Sequence, residues 1–136
     1  ERFVGTGYLV DARGHDIADE SLLQAVDLQP GGIVLILTGH GTNFGQPGYF
    51  GRYPVLSEGF ARMCVEKGVK VVGMDTPSPD VSPFPVHHIL LGHEILIIEN
   101  LANLESLLGA KTFTVAALPS KLHADAAPVR VVAMVE

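Results

Sequence analysis

The feature that most constrains the fold is a nearly continuous apolar run at residues 33–38, Ile-Val-Leu-Ile-Leu-Thr. A short run of this kind, rich in β-branched residues and without polar alternation, is typical of a strand buried on both faces. Residues 70–75, Lys-Val-Val-Gly-Met-Asp, predict a second buried strand. The sequence therefore predicts a sheet in which residues 33–38 form a central strand.

Strands and short helices alternate along the rest of the chain. Turn residues and β-prone runs predict further strands at residues 8–12, 94–98, 112–118 and 128–135. Short helices are predicted at residues 20–26, between Ser57 and Gly68, and at residues 101–108. The proline-rich segment 76–86 reads as a loop and residues 87–91 as a short turn. The sequence therefore predicts the mixed α/β class and a single domain over residues 1–136.

Composition excludes several classes of function. The chain has 136 residues with 9 Lys+Arg against 15 Asp+Glu, a formal charge of −6, which would repel nucleic acid. Its apolar runs are far shorter than the roughly 20 residues of a membrane span. The single cysteine, Cys64, cannot form an internal disulfide and reads as a core residue, so we expect a cytoplasmic protein. Because the chain begins with Glu1 rather than Met, we also expect that a segment preceded it.

Three polar residues lie at or after the ends of the predicted buried strands, where functional side chains often lie. Asp75 could orient a metal-bound histidine or a ligand, or it could hold a turn through backbone hydrogen bonds, and the sequence leaves both roles open. Asp80 is expected to serve only its loop. His40 stands in a glycine-rich loop after the first buried strand.

Residues 83–101 contain the strongest candidates for chemistry. Three of the six histidines fall within residues 87–93, and Glu99 follows four apolar residues of a predicted strand. An isolated histidine is more often a surface or core residue than a ligand. An unpaired carboxylate at the end of a buried strand is costly to desolvate, so Glu99 requires a metal or a strong donor nearby. Histidine and carboxylate are ordinary ligands of Zn²⁺ and similar ions.

These segments resemble the cyclase family, whose best-understood members are bacterial kynurenine formamidases. Residues 85–92, Pro-Val-His-His-Ile-Leu-Leu-Gly, and 97–104, Ile-Ile-Glu-Asn-Leu-Ala-Asn-Leu, are similar to its C-terminal signature, and weaker matches follow in order from residue 1 to 130. The resemblance implies a swivelling β/β/α fold, incomplete at the N-terminus, with His87 and Glu99 as ligands of a divalent metal, Zn or Mn. It also suggests that His40 lines a pocket.

The family's upstream motif H-x-G-T-H-x-D-x-P-x-H does not occur in this chain. The resemblance assigns to that motif the remaining metal ligands and a proton-transferring histidine. Two hypotheses therefore stay open. The chain belongs to a metal-dependent hydrolase of a small-molecule amide or formamide, with the other ligands supplied from elsewhere and little activity of its own. Alternatively, it is a catalytically silent binding or assembly module. Under either, we expect a homo-oligomer.

Overall fold

One six-stranded sheet runs through the molecule. The computed structural model describes residues 2–135, with strands β1 (Val4–Asp11), β2 (Ile17–Ala18), β3 (Ile33–Leu37), β4 (Val55–Leu56), β5 (Val71–Met74), β6 (Leu96–Ile98), β7 (Phe113–Pro119) and β8 (Val129–Val135), and helices α1 (Ser21–Gln24), α2 (Glu58–Glu66) and α3 (Pro85–Gly92). Single 3-10 turns form at His40–Asn43 and Leu104–Leu107. The sheet order is β6-β5-β3-β1-β7-β8, and β2 pairs with β4 separately. The mixed α/β class is confirmed.

Four neighbouring strands of the sheet, β6, β5, β3 and β1, are parallel to one another. The remaining two, β7 and β8, each run antiparallel to the strand before them in the sheet. β1 pairs with β3, β3 with β5, and β5 with β6 in parallel register. β7 runs antiparallel to β1, and β8 runs antiparallel to β7. The carboxyl ends of β3, β5 and β6 therefore meet at one edge of the sheet. This arrangement places the residues that follow those strands next to one another.

Strand β3 lies between two apolar cores, one on each face of the sheet, as its composition predicts. Val34 and Ile36 point into a core shared with α1, α2 and α3. Ile33, Leu35 and Leu37 point to the opposite face, where the 104–107 turn packs on them and side chains of β7 join the same apolar cluster. All five side chains are at most 1% exposed. Each such burial is worth about 1.5–3 kcal/mol relative to the exposed side chain, so a polar residue at any of these positions would be costly.

Helix α2 begins and ends where the sequence predicts. The Ser57 hydroxyl accepts a hydrogen bond from the Phe60 backbone N–H at 3.0 Å, and Gly68 takes a φ of +68° after the last turn. Such a cap satisfies one of the free N–H groups of the first turn. Cys64 lies fully buried on the inner face of the helix, and burial raises the pKa of its thiol to about 12. It is a core residue, as predicted.

Helix α3 corrects the prediction of a short turn at residues 87–91. The helix covers Pro85–Gly92, with proline in its first turn and with Val86 and Leu90, four residues apart, buried against the core. Proline is well accommodated at the start of a helix because that position needs no N–H donor. The prolines before residue 86 concealed this helix, because a proline-rich segment predicts a loop and gives no sign that the loop ends at Pro85. No helix among residues 2–135 has the length and apolar character needed to cross a membrane.

Candidate metal centre

The candidate site lies at the edge where the parallel strands end. Thr38 follows β3, Asp75 follows β5, and Glu99 follows β6. His87 approaches the same region from the first turn of α3. Asp75, His87 and Glu99, which were singled out from the sequence, thus come from three segments that the sheet topology brings to one end of the molecule.

Asp75 holds the backbone of the loop after β3. Its Oδ1 accepts hydrogen bonds from the Thr38 N–H at 2.9 Å and the Thr38 hydroxyl at 2.7 Å, and its Oδ2 accepts one from the Gly39 N–H at 2.8 Å. Asp75 as a residue is 3% exposed, so these bonds replace the water that its carboxylate has lost. Of the two roles left open by the sequence, the structure shows backbone hydrogen bonding, directed to the loop before Asp75 in the chain rather than after it.

Asp80, rather than Asp75, contacts a histidine. The sequence left that role open for Asp75. Oδ1 of Asp80 lies 2.5 Å from Nδ1 of His87, and its Oδ2 accepts hydrogen bonds from the backbone N–H groups of Val86 at 2.6 Å and His87 at 3.3 Å. The expectation that Asp80 serves only its loop is therefore wrong. A sequence signal was present: an acid five residues before the first turn of a proline-initiated helix is a candidate acceptor for its free N–H groups.

Glu99 faces the other nitrogen of the same imidazole. Its Oε1 lies 3.8 Å from His87 Nε2, too far for a direct hydrogen bond. Burial raises the pKa of the Glu99 carboxyl, His87 opposes that rise, and Asp80 adds to it. The Glu99 side chain is nevertheless 36% exposed, so its desolvation is only partial and the fully buried carboxylate expected from the sequence is not found. We call His87 and Glu99 the half-site.

The half-site fits a divalent metal by donor type and by distance. Metal–nitrogen distances of about 2.0–2.1 Å and metal–oxygen distances of about 2.0–2.2 Å allow two ligands of one zinc ion to lie up to about 4.3 Å apart. The 3.8 Å separation of Nε2 and Oε1 falls inside that limit and is slightly wider than the roughly 3.4 Å between two ligands of a tetrahedral ion. Within residues 2–135, however, no group of three His, Cys, Asp or Glu side chains is arranged to hold a metal. The half-site offers two candidate ligands, whereas a catalytic zinc normally has three.

His40 lies outside the half-site. Its Nε2 is 2.9 Å from the backbone oxygen of Tyr49, and the two rings stack with centroids 4.9 Å apart. The contact organises the loop between β3 and β4. A role for His40 in a substrate pocket stays a prediction.

Tyr49 and Asn100 form a hydrogen-bonded pair beside the half-site, and this pair was not predicted from the sequence. The Tyr49 hydroxyl donates a hydrogen bond to Oδ1 of Asn100 at 2.7 Å, and the Tyr49 side chain is buried. Asn100 has a φ of +59°, a conformation that asparagine tolerates better than most residues, and its N–H donates to the Thr76 carbonyl at 2.9 Å. These bonds fix the turn that immediately follows Glu99. An asparagine directly after a buried strand was the available signal.

A cavity opens beside the half-site. Its volume is about 490 Å³, and His87 and Glu99 contribute to its wall. Apolar side chains such as Leu91, Leu96 and Leu122 form much of the remainder, together with the β7–β8 connection. The dimensions suit a small organic molecule or a polypeptide segment.

Comparison with known proteins identifies the family. The Cyclase family model matches residues 1–81. The chain belongs to the cyclase family. This match covers more than half of the chain and stops before α3, so the half-site itself lies outside the matched residues.

Relatives of this cyclase-family chain extend the similarity through α3 and β6. An uncharacterized protein of Methanocaldococcus jannaschii, MJ0783, is 35% identical over 132 residues, covering 96% of this chain and 64% of the relative. A solved structure described as a potential metal-dependent hydrolase with cyclase activity is 25% identical with a TM-score of 0.81, covering 99% of this chain and 67% of that one. This chain therefore spans about two thirds of the length of the proteins it matches.

A third similarity concerns the fold alone. Isatin hydrolase A from Ralstonia solanacearum superposes with a TM-score of 0.88 at 23% identity, over 99% of this chain and 61% of that enzyme. The cyclase-like fold expected from the sequence is confirmed by these superpositions.

Proposed function

We propose that this cyclase-family chain contributes the His87–Glu99 half-site to a metal-dependent hydrolase that cleaves an amide or formamide C–N bond. The observation that carries the proposal is the 3.8 Å approach of Nε2 and Oε1, since one ion accommodates both donors at that spacing. The similarity to a structure described as a metal-dependent hydrolase supports the same chemistry.

In this proposal the chain's own residues bind and orient. His87 Nε2 and Glu99 Oε1 would hold the metal, and the apolar side chains of the adjoining cavity would pack against the substrate. When bound, a divalent ion supplies Lewis acidity and lowers the pKa of a water molecule. Further ligands and a proton-transfer group must come from residues beyond those described or from a partner subunit. Because two ligands position a metal poorly, the isolated chain should bind it weakly and turn over little substrate.

The second candidate function is a catalytically silent binding or assembly module of the cyclase type. The absence of a three-ligand cluster within residues 2–135 favours it for the chain on its own. In that case the half-site would be a remnant of no functional consequence.

Metal analysis combined with an activity assay separates the two candidates. The purified chain is dialysed against Zn²⁺ or Mn²⁺ and assayed with an aryl formamide, alongside His87→Ala and Glu99→Ala variants. The proposal predicts that bound metal and any turnover disappear in both variants. Equal metal content in wild type and variants would reject the half-site, and a complete lack of metal in wild type would favour the silent module.

A further inference from the structure

We propose that Asp80 is a positioning residue: it holds His87 in the tautomer with hydrogen on Nδ1, so that the unprotonated Nε2 faces Glu99. The inference deepens the proposed function, on which its significance for metal binding rests. Its structural part, the tautomer of a single imidazole, is testable without any metal.

The Asp80 carboxylate is itself fixed by the start of α3. The residue is 4% exposed, and Oδ2 accepts from two successive backbone N–H groups, those of Val86 and His87. Those donors belong to the first turn of the helix, where no carbonyl is available to them. The carboxylate therefore cannot turn away from His87 without leaving helix donors unsatisfied.

The fixed Asp80 carboxylate determines which nitrogen of the His87 ring carries the proton. An ionised carboxylate only accepts hydrogen bonds, so Nδ1 at 2.5 Å must be the donor. In a neutral imidazole the remaining nitrogen is then an acceptor with a free lone pair. The same contact sets the ring's orientation, and the Phe84 ring supports it edge-on with centroids 5.6 Å apart.

The His87 ring is therefore already in the tautomer and orientation that metal binding through Nε2 requires. Nε2 is directed toward Glu99 at 3.8 Å, within the range that one ion spans. Removing the hydrogen-bond partner of a ligating histidine typically weakens metal affinity by about 10–100-fold. Asp80→Asn reverses the preference, because the asparagine amide can donate to Nδ1 and leave the hydrogen on Nε2.

Nitrogen NMR of the metal-free protein tests the tautomer. Histidine is labelled with ¹⁵N, and ring-nitrogen shifts of His87 are recorded at about pH 8 for wild type, D80N and D125N. Asp125 is the matched control: it lines the same cavity and loses the same charge, but it is exposed, and the hydrogen bonds and ion pairs of the His87 ring in the described residues go to Asp80 and Glu99. We expect hydrogen on Nδ1 in wild type and D125N, and a shift of the population toward Nε2 in D80N.

Zn²⁺ titration of the same three proteins tests the role. Affinity should fall about 10–100-fold in D80N and stay within about twofold of wild type in D125N. Hydrogen on Nε2 in wild type would overturn the inference even if D80N failed to fold, as would an unchanged tautomer in folded D80N. Wild type with the expected tautomer but no Zn²⁺ binding would instead reject the proposed function, so the two failures are distinguishable.

Discussion

Two buried aspartates follow strand β5, and they do different things. Asp75 and Asp80 are 3% and 4% exposed. Every oxygen of Asp75 is engaged by the loop that begins at Thr38, mostly through backbone N–H groups. Asp80 binds backbone N–H groups with one oxygen only and gives the other to the imidazole of His87. Burial alone therefore does not distinguish a structural carboxylate from one near a functional group.

The difference lies in what the hydrogen-bond partner is able to do. A backbone N–H can only donate, and each oxygen of Asp75 accepts from at least one such group, so neither oxygen can be replaced by a donor without a loss. An imidazole can donate or accept through either nitrogen, and here its second nitrogen faces Glu99. The contact of Asp80 is consequently transmitted to a potential metal ligand, whereas the contacts of Asp75 end in the loop.

The largest effect is expected for Asp75→Asn. The variant places an amide NH₂ against backbone donors that cannot become acceptors, which leaves buried groups unsatisfied. We expect the free energy of unfolding to fall by about 2–3 kcal/mol, measured by urea denaturation, with the His87 ring tautomer unchanged. A loss below about 0.5 kcal/mol would show that the Asp75 bonds do not matter for stability.

A smaller stability loss, about 1 kcal/mol, is expected for Asp80→Asn. The remaining amide oxygen still caps α3, and the imidazole can exchange donor for acceptor to match the new NH₂. Denaturation under the same conditions gives the comparison. If D80N proves more destabilised than D75N, the proposed distinction between the two aspartates is incorrect.

Tyr49→Phe removes one hydrogen bond that secures the turn after Glu99, and we expect it to cost about 1 kcal/mol at neutral pH. Burial raises the pKa of Tyr49, and Asp75 and Glu99 add to the rise. Because the folded state holds the phenolic proton more tightly, the contribution of Tyr49 is complete below about pH 10 and is lost as the pH rises through its folded pKa. Stability measured from neutral to alkaline pH should therefore decline less steeply in Y49F. An identical decline in both proteins would exclude this account of Tyr49.

The smallest effect is expected for Asp16→Asn, a surface reference for both buried acids. Asp16 pairs with Arg52 at 2.7 Å, but both side chains are more than 80% exposed. Such a pair contributes little because water screens it, so the change in unfolding free energy should stay within about 0.5 kcal/mol. A loss comparable to that of D75N would show that charge removal, not burial, dominates the comparison.

The sequence predicted features that depend on local composition. β3 and β5 follow from their β-branched runs, and α2 follows from Ser57 and Gly68. The half-site was predicted from the resemblance of residues 85–104 to the cyclase family and from the cost of burying Glu99. Its two members do approach each other as that prediction requires, whereas metal binding stays a prediction.

Features that depend on tertiary contacts were missed. β1 extends back to Val4 because its first residues pair with β7, about 110 residues later in the chain, and no local pattern reveals such pairing. Helix α3 was obscured by prolines that in fact initiate it. The contact of Asp80 with His87 was not predicted, because both aspartates follow one strand and only the folded chain determines which one meets His87.

Zn²⁺ titration of the chain by calorimetry, with His87→Ala and Glu99→Ala in parallel, tests the half-site most directly. We predict weak binding of one ion per chain in the wild type and loss of that binding in each variant. Binding that persists unchanged in either variant would contradict the assignment of His87 and Glu99 as the ligand pair.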